Sequence, residues 1–368
     1  MIKPLDYVSQ IKPYVPGKPV KELERELGIT ESIKLASNEN PAGPSPRAVE
    51  ALKAFLEASG ELCRYPDGSG YYLKNALSQK LSSGGITVSP EELILGNGSN
   101  ELLDIAVRTF IGPGDEAVMA SPSFVVYAMA VRSTGGIARE VVLRDYTHDL
   151  TSMADAITPM TKIVFIASPN NPTGTINKRA ELDAFMKRVP DGVLVVMDEA
   201  YCEYVHDAEY PDTLKYFDEG RDILILRTFS KIYGLASLRI GYGIGKKEVL
   251  GEMNKIREPF NTSTLAQEAA LAALGDEAHL KYSTEINEEG KKFLYREFDE
   301  LGLKYIPTEA NFIYMVLDRE SGKLYNSLLK KGVIVRPAGP KEIRVTIGLP
   351  GDNRRFIEAL KASLQGLD

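Results

Sequence analysis

Val193-Leu-Val-Val-Met-Asp-Glu-Ala-Tyr201 sets five apolar residues in a row and ends them in two carboxylates and a tyrosine. A short run without polar alternation fits a strand covered on both faces, as in a parallel sheet, rather than one with a wet face. Ile163-Val-Phe-Ile166, inside the candidate strand Lys162 to Ser168, repeats the pattern. Glu92 to Gly96, Glu116 to Ala120, Glu140 to Leu143, Asp222 to Thr228 and Arg239 to Gly245 bring the strand candidates to seven. Helical spacing lies between most of them. Leu102, Leu103, Ala106, Val107 and Phe110 share one face of Asn100 to Phe110, and Leu182, Phe185 and Met186 share one face of Lys178 to Arg188. This alternation predicts an α/β domain, a mostly parallel sheet flanked by crossover helices.

After Gly245 the texture changes. A long charged helical stretch from about His279 to Leu301 leads into strand candidates at Lys304 to Pro307, Asn311 to Leu317, Val333 to Arg336 and Glu342 to Ile347. Helices are expected at Gly322 to Lys330 and Asp352 to Leu364. The expected organisation is an N-terminal arm over 1–30, a large ligand-binding domain over 31–258 and a smaller α+β domain over 259–368. A long helix after Lys255 is expected to join the two, because no Gly/Ser-rich tract marks a flexible linker.

The chain of 368 residues carries a formal charge of -7 with its basic residues dispersed, which argues against a nucleic-acid or membrane-surface partner. Cys63 and Cys202 are far apart and the three histidines, His148, His206 and His279, are scattered, so no metal-ligand spacing appears and no bound metal is expected. All three histidines are expected to be surface or half-buried. No basic start precedes an apolar run at the N-terminus and no apolar stretch approaches membrane-spanning length, so a soluble cytoplasmic protein is expected.

In open α/β sheets ligands gather at the carboxyl ends of the strands, and the unusual polar residues fall there. Leu95-Gly-Asn-Gly-Ser-Asn-Glu101 is a strand-to-helix turn whose backbone N–H groups suit one phosphate, although a plain Ser or Asn helix cap also accounts for it. It lacks the third glycine of a dinucleotide loop and the Lys-Ser/Thr of a P-loop. Ser168-Pro-Asn-Asn-Pro-Thr-Gly174 needs its prolines and glycine for the turn but not its two asparagines, and Pro172 holds Asn171 extended. Asp198 follows five apolar residues and needs a positive or protonated partner if buried, or serves as a helix N-cap. Arg227-Thr-Phe-Ser-Lys231 ends another apolar strand in a lysine. A free lysine is almost wholly protonated at pH 7, so one that works as an amine needs desolvation, neighbouring cations or condensation with an aldehyde. Arg239 lies near enough in sequence to share an anion with it.

One ligand accounts for all four sites. Pyridoxal 5'-phosphate has an aldehyde for Lys231, a ring nitrogen to be kept protonated beside Asp198, a phenolic oxygen and a phosphate.

These segments, in this order, resemble the fold type I pyridoxal-phosphate aminotransferases over nearly the whole chain. Ser37-Asn-Glu-Asn-Pro41, Arg64-Tyr-Pro-Asp67, Ser168 to Gly174, Asp198-Glu-Ala-Tyr201, Arg227 to Lys231 and Arg344-Val-Thr-Ile-Gly348 are together similar to the histidinol-phosphate aminotransferase family. The resemblance implies a Schiff base at Lys231, a pyridinium partner in Asp198, and hydrogen bonds from Asn171 and Tyr201 to the phenolic oxygen. It further implies that Gly98, Ser99, Asn100, Ser230 and Arg239 hold the phosphate, that Phe124 stacks on the ring, and that Tyr65 reaches across from a partner subunit of a homodimer. Asn40, Arg336 and Arg344 would bind substrate, Arg344 through a carboxylate and Arg336 through a distal anion. A cis Asn171-Pro172 bond is also implied. The chain departs from many relatives at Ala42, after Asn-Glu-Asn-Pro, and at Ser237, where a glycine is common. The implied reaction interconverts histidinol phosphate and 2-oxoglutarate with imidazole acetol phosphate and glutamate. An aromatic amino-acid aminotransferase would use the same residues, and a threonine-phosphate decarboxylase shares the fold and a phosphorylated substrate.

Overall fold

The computed structural model describes residues 2–58, 62–82 and 85–366; Met1 and residues 367–368, which the expected domain limits include, lie outside them. After β1 (Ile33–Lys34) come β2 (Leu93–Gly96), β3 (Glu116–Ser121), β4 (Ile137–Val142), β5 (Thr161–Ala167), β6 (Leu194–Asp198), β7 (Ile223–Thr228) and β8 (Gly241–Gly245). Strands β2 to β8 form one sheet in the order β2-β8-β7-β6-β5-β3-β4. Strand β8 runs against β2 and β7, and the remaining pairings are parallel. Every strand candidate before Gly245 is therefore a member of this sheet.

The apolar runs have a direct cause. Leu194 and Val196 pack with Ile163, Phe165, Leu224 and Leu226 on one face. Val195 and Met197 pack with Val164, Ile166, Ile223 and Ile225 on the other. Each such side chain gains about 1.5–3 kcal/mol from burial, so a polar residue is tolerated only where β6 leaves the sheet at Asp198. Because β8 is antiparallel, its first residues lie at the same edge as the last residues of β5, β6 and β7. That edge collects the ends of β2, β5, β6 and β7 together with Arg239.

A second sheet is built from β9 (Lys304–Ile306), β10 (Phe312–Val316), β12 (Arg336–Pro337) and β13 (Glu342–Thr346), in the antiparallel order β12-β13-β10-β9. It packs through Ile313, Val345 and Met315 against Leu294, Leu324 and Phe356 of the helices Glu277–Glu300, Ser321–Lys330 and Pro350–Gln365. The intervening β11 (Val333–Ile334) pairs in parallel with β1. Two residues are too few to show a period, and β1 is invisible in the sequence for that reason.

The long joining helix is not one helix. Lys247–Asn254, Thr264–Leu274 and Glu277–Glu300 are separate, with Pro259 in the first break and Gly275-Asp276 in the second. Asp276 caps the last, its side chain accepting from His279 N at 3.3 Å. The histidines also depart from expectation: His206 is exposed, but His148 and His279 are buried. Burial lowers the His148 imidazole to about 4, so it sits in the core as a neutral ring.

The turn after β7 is fixed by close backbone approach. Gly234 has φ +71, and a Cβ there would lie 2.1 Å from the carbonyl oxygen of Gly43. This contact seats the loop that carries Lys231 on the segment after β1. Gly234→Ala should lower stability by about 2 kcal/mol, from left-handed strain and the clash together. A urea midpoint equal to that of the unaltered protein would refute this account.

Candidate active site

Asp198, at the end of β6, is buried and receives two hydrogen bonds: Tyr127 Oη donates to Oδ2 at 2.6 Å and Ala200 N donates to Oδ1 at 3.2 Å. It caps no α-helix; the chain turns into a short 3₁₀ segment at Cys202–Tyr204. Burial pushes the Asp198 carboxyl above the ordinary carboxylate range, and the two donated bonds oppose that shift. Burial also holds the Tyr127 phenol well up, so it remains the donor. Tyr127 stacks on Phe165 at 4.8 Å and meets Phe124 edge-on at 5.6 Å.

Lys231, just past β7, is half-buried, and its Nζ donates to Ser37 O at 3.3 Å and sits 5.5 Å from the centre of the Tyr201 ring. Its pKa falls to about 8, first through burial and then through the Arg344 and Arg239 guanidinium groups, with Glu39 and Asp198 pulling the other way. Tyr201 is buried, and its hydroxyl accepts from Asn38 Nδ2 at 2.9 Å.

At the phosphate end, the helix Ser99–Phe110 starts behind Gly98 with no side-chain cap, which removes the plain capping explanation. Gly98 has φ +76, and a Cβ there would lie 2.5 Å from Arg239 Nη2. The guanidinium thus lies against bare backbone, and its Nη1 also reaches Ser230 Oγ at 3.4 Å and Ala236 O at 2.9 Å.

Across the cavity, Arg336 and Arg344 are opposite one another on β12 and β13. Arg344 is buried over the Phe312 ring at 5.3 Å, its Nη2 donates to Ala36 O at 2.6 Å and its Nη1 to Asn171 Oδ1, while its Nε is buried without a partner. Arg336 is half-buried over the Tyr14 ring at 5.5 Å. The Asn171 loop closes through Gly174 N to Asn170 O at 2.7 Å and Asn170 N to Thr175 O at 2.8 Å. Its Asn171-Pro172 bond is not cis, contrary to the resemblance; among the described residues the cis bonds are Ser121-Pro122 and Ser168-Pro169.

One cavity therefore gathers Lys231, Asp198, Tyr201 and Asn171 with Ser99, Asn100, Phe124, Ser230 and three arginines. Three candidates stand outside its lining: Gly98, which lies behind the Arg239 guanidinium, Asn40 and Tyr65. Asn40 donates to Ile232 O at 2.6 Å and to Ser283 Oγ at 2.9 Å, and accepts from Ala42 N at 2.9 Å, so its amide holds the loop beside Lys231. Tyr65 is 82% exposed, stacked on Phe260 at 4.7 Å, in a separate cleft on the far side of Arg239. Sequence reasoning missed Tyr127, whose signal was its place three residues after Phe124, gave no role to Asn38 within the quoted Ser37 to Pro41 segment, and missed Tyr14, which carries no local signal. Among the described residues no group of three or more His, Cys, Asp or Glu is placed to hold a metal ion.

Residues 30–360 match the family described as Aminotransferase class I and II. The chain is similar to a histidinol-phosphate aminotransferase of Moorella thermoacetica, 53% identical over 97% of this chain and 92% of that one. A histidinol-phosphate aminotransferase of Caldicellulosiruptor saccharolyticus is 45% identical over 98% of this chain and 99% of its own length. Among solved structures, the histidinol-phosphate aminotransferase of Sinorhizobium meliloti in complex with pyridoxal-5'-phosphate superposes with a TM-score of 0.90 at 27% identity, covering 100% of this chain and 99% of that one.

The lowered lysine has a measurable consequence. Since the folded value of about 8 lies below the ordinary 10.5, the charged amine opposes folding below pH 8, and that penalty is relieved as pH rises from about 8 to 10.5. In cofactor-free protein, reductive methylation of Lys231 should reach half its maximal rate near pH 8, and Arg344→Gln should move that midpoint upward. A midpoint near that of exposed lysines would remove the basis for Lys231 as an amine base.

Proposed function

The chain belongs to the class I and II aminotransferases, and within them to the histidinol-phosphate aminotransferases, so we propose that it exchanges an amino group between histidinol phosphate and 2-oxoglutarate, giving imidazole acetol phosphate and glutamate. The observation that carries this reading is the pairing of buried Asp198 and half-buried Lys231 at adjacent strand ends, facing two arginines side by side on a second sheet.

The residues present fit pyridoxal 5'-phosphate. Asp198 is a buried carboxyl whose charge a protonated ring nitrogen would balance, Gly98 and Arg239 form a cradle that a Cβ would fill, and Arg344 keeps an orphaned N–H. When bound, the cofactor supplies an electron sink for the pair left at the substrate's α-carbon. Asp198 would hold the ring nitrogen, Asn171 and Tyr201 the phenolic oxygen, and Gly98, Ser99, Asn100, Ser230 and Arg239 the phosphate. Phe124 would cover the ring face.

Lys231 is the proton carrier. An amine titrating near 8 is part neutral at pH 7 to 8, so Nζ can take the α-proton and return it, and a positioned base of this kind contributes about 10²- to 10⁴-fold. Arg344 grips the α-carboxylate, its planar fork suiting two parallel bonds. Arg336 meets the second anion, the phosphate of histidinol phosphate or the distal carboxylate of glutamate. Asn40 acts at one remove, through the loop beside Lys231.

The same proposal includes a homodimer in which Tyr65 of the partner subunit completes the phosphate site, supported by its exposure beside Phe260. It includes a cytoplasmic location, consistent with a biosynthetic reaction; no described helix is long and apolar enough to cross a membrane. It also includes the division into an arm over 1–30, a large domain over 31–258 and a small one over 259–368, supported by the separation of the seven-stranded sheet from the four-stranded one, while the two-stranded β1-β11 pair joins the large domain to the small one. The relatives' names do not favour the aromatic aminotransferase or decarboxylase readings.

The test is a half-reaction. Protein loaded with pyridoxal phosphate should lose its visible band on adding glutamate, and on adding histidinol phosphate far more readily than on adding phenylalanine or tyrosine. Lys231→Ala should lose nearly all turnover. Arg336→Ala should raise KM for histidinol phosphate about 10- to 100-fold, as expected for losing hydrogen bonds to a charged group. An unchanged KM would remove Arg336 from the anion site, and preferential reaction with phenylalanine would overturn the substrate.

A further inference from the structure

Asn38 is 1% exposed, holds a left-handed backbone at φ 55, and uses all of its polar groups. Its backbone N–H donates to Thr346 Oγ1 at 3.0 Å, its carbonyl accepts from Asn311 Nδ2 at 3.1 Å, and its side-chain Oδ1 accepts from Thr346 Oγ1 at 3.1 Å. Thr346 Oγ1 already accepts from the Asn38 backbone N–H, and Oδ1 gives its hydrogen an acceptor; in this arrangement Nδ2 faces Tyr201 and donates to Tyr201 Oη at 2.9 Å.

That direction matters. A phenol has one hydrogen to give, and a neighbour that accepted it would leave Tyr201 with nothing to donate into the cavity. Asn38 supplies a donor instead. Tyr201 Oη therefore spends a lone pair on Asn38 and keeps its hydrogen for whatever oxygen lies on its open side. Thr346 is two residues beyond Arg344 on β13, and Arg344 itself donates to Ala36 O, so the segment 36–38 is pinned to that strand at both ends.

We propose that Asn38 is a positioning residue that sets Tyr201 as a hydrogen-bond donor to the cofactor's phenolic oxygen. This rests on the aminotransferase reading above. A hydrogen bond donated to that oxygen favours its negatively charged form and so lowers the pH at which the lysine-linked chromophore loses its proton. Without the Asn38 donor, the midpoint rises.

The experiment is a pH titration of visible absorbance in protein loaded with pyridoxal phosphate. Asn38→Asp replaces the donor with an acceptor that captures the Tyr201 hydrogen, and should raise the midpoint by about one pH unit, the scale of one lost hydrogen bond. Tyr201→Phe should raise it similarly, and the double variant should show no further rise, since the two act through one bond. Asn38→Gly keeps the positive φ and the backbone bond to Thr346 while deleting the amide; it covers the case in which the aspartate variant does not fold, and should move the midpoint in the same direction by less, since it removes the donor that polarises the Tyr201 hydroxyl without adding an acceptor. An unchanged midpoint in whichever Asn38 variant folds, with Tyr201→Phe shifted, overturns the role, as does full additivity. A failure of the cofactor reading looks different: the unaltered protein then shows no titrating visible band.

Discussion

Withdrawal of one acid and one base from water, at the ends of two neighbouring strands, governs the site. Desolvation penalises whichever form is charged, so it lifts Asp198 and lowers Lys231, moving both toward neutrality. The sheet makes this unavoidable, because β6 and β7 are covered on both faces until the residues that end them. What the fold adds is control over the extent. Tyr127 gives Asp198 a donor that resists neutralisation, and the guanidinium groups of Arg344 and Arg239 push Lys231 further down.

Two groups shifted in this way must also be held still. Glu199, next to Asp198, accepts from Arg227 Nε at 2.8 Å, and its backbone N–H donates to Leu226 O at 2.9 Å. Thr213 Oγ1 donates to the other Glu199 oxygen. The carboxylate-bearing strand and the lysine-bearing strand are thereby clamped one residue beyond the sheet pairing of Asp198 with Leu226. Breaking such a pair would leave a buried charge uncompensated, which is costlier than the pair is stabilising.

Legibility in the sequence follows from how local each cause is. All seven strands of the large sheet were readable, most of them because double-sided burial writes itself as an apolar run; β4, at the edge and largely exposed, showed only through Val141 to Leu143. Lys231, Asp198 and Asn171 were readable because each breaks such a run or loads a turn with a polar group that the turn does not need. Tyr127, Asn38 and Tyr14 were not, since each owes its role to a partner at least 71 residues away, as in Tyr127 with Asp198. The breaks between the joining helices were marked by Pro259 and by Gly275-Asp276, and the helical texture of that region hid them. The buried histidines failed for another reason: composition says nothing of whether a neutral imidazole fills a core.

The two arginines show how a binding site can be held ready at a cost. Arg336 and Arg344 stand opposite one another on adjacent antiparallel strands, a like-charge pairing that works against the sheet. Arg336 is one of the influences that lower the pKa of Arg344, after burial. Each guanidinium lies over an aromatic face, Tyr14 for Arg336 and Phe312 for Arg344, which returns part of that cost without neutralising either charge. Asn171 Oδ1 and Ala36 O accept from Arg344 but carry no formal charge, so the positive potential persists and Nε keeps its hydrogen unspent. A doubly anionic substrate bound as proposed would relieve both the repulsion and the orphaned donor, whereas an uncharged side chain would relieve neither. Under the proposed function, preference for a second anion would thus arise from the strand register itself.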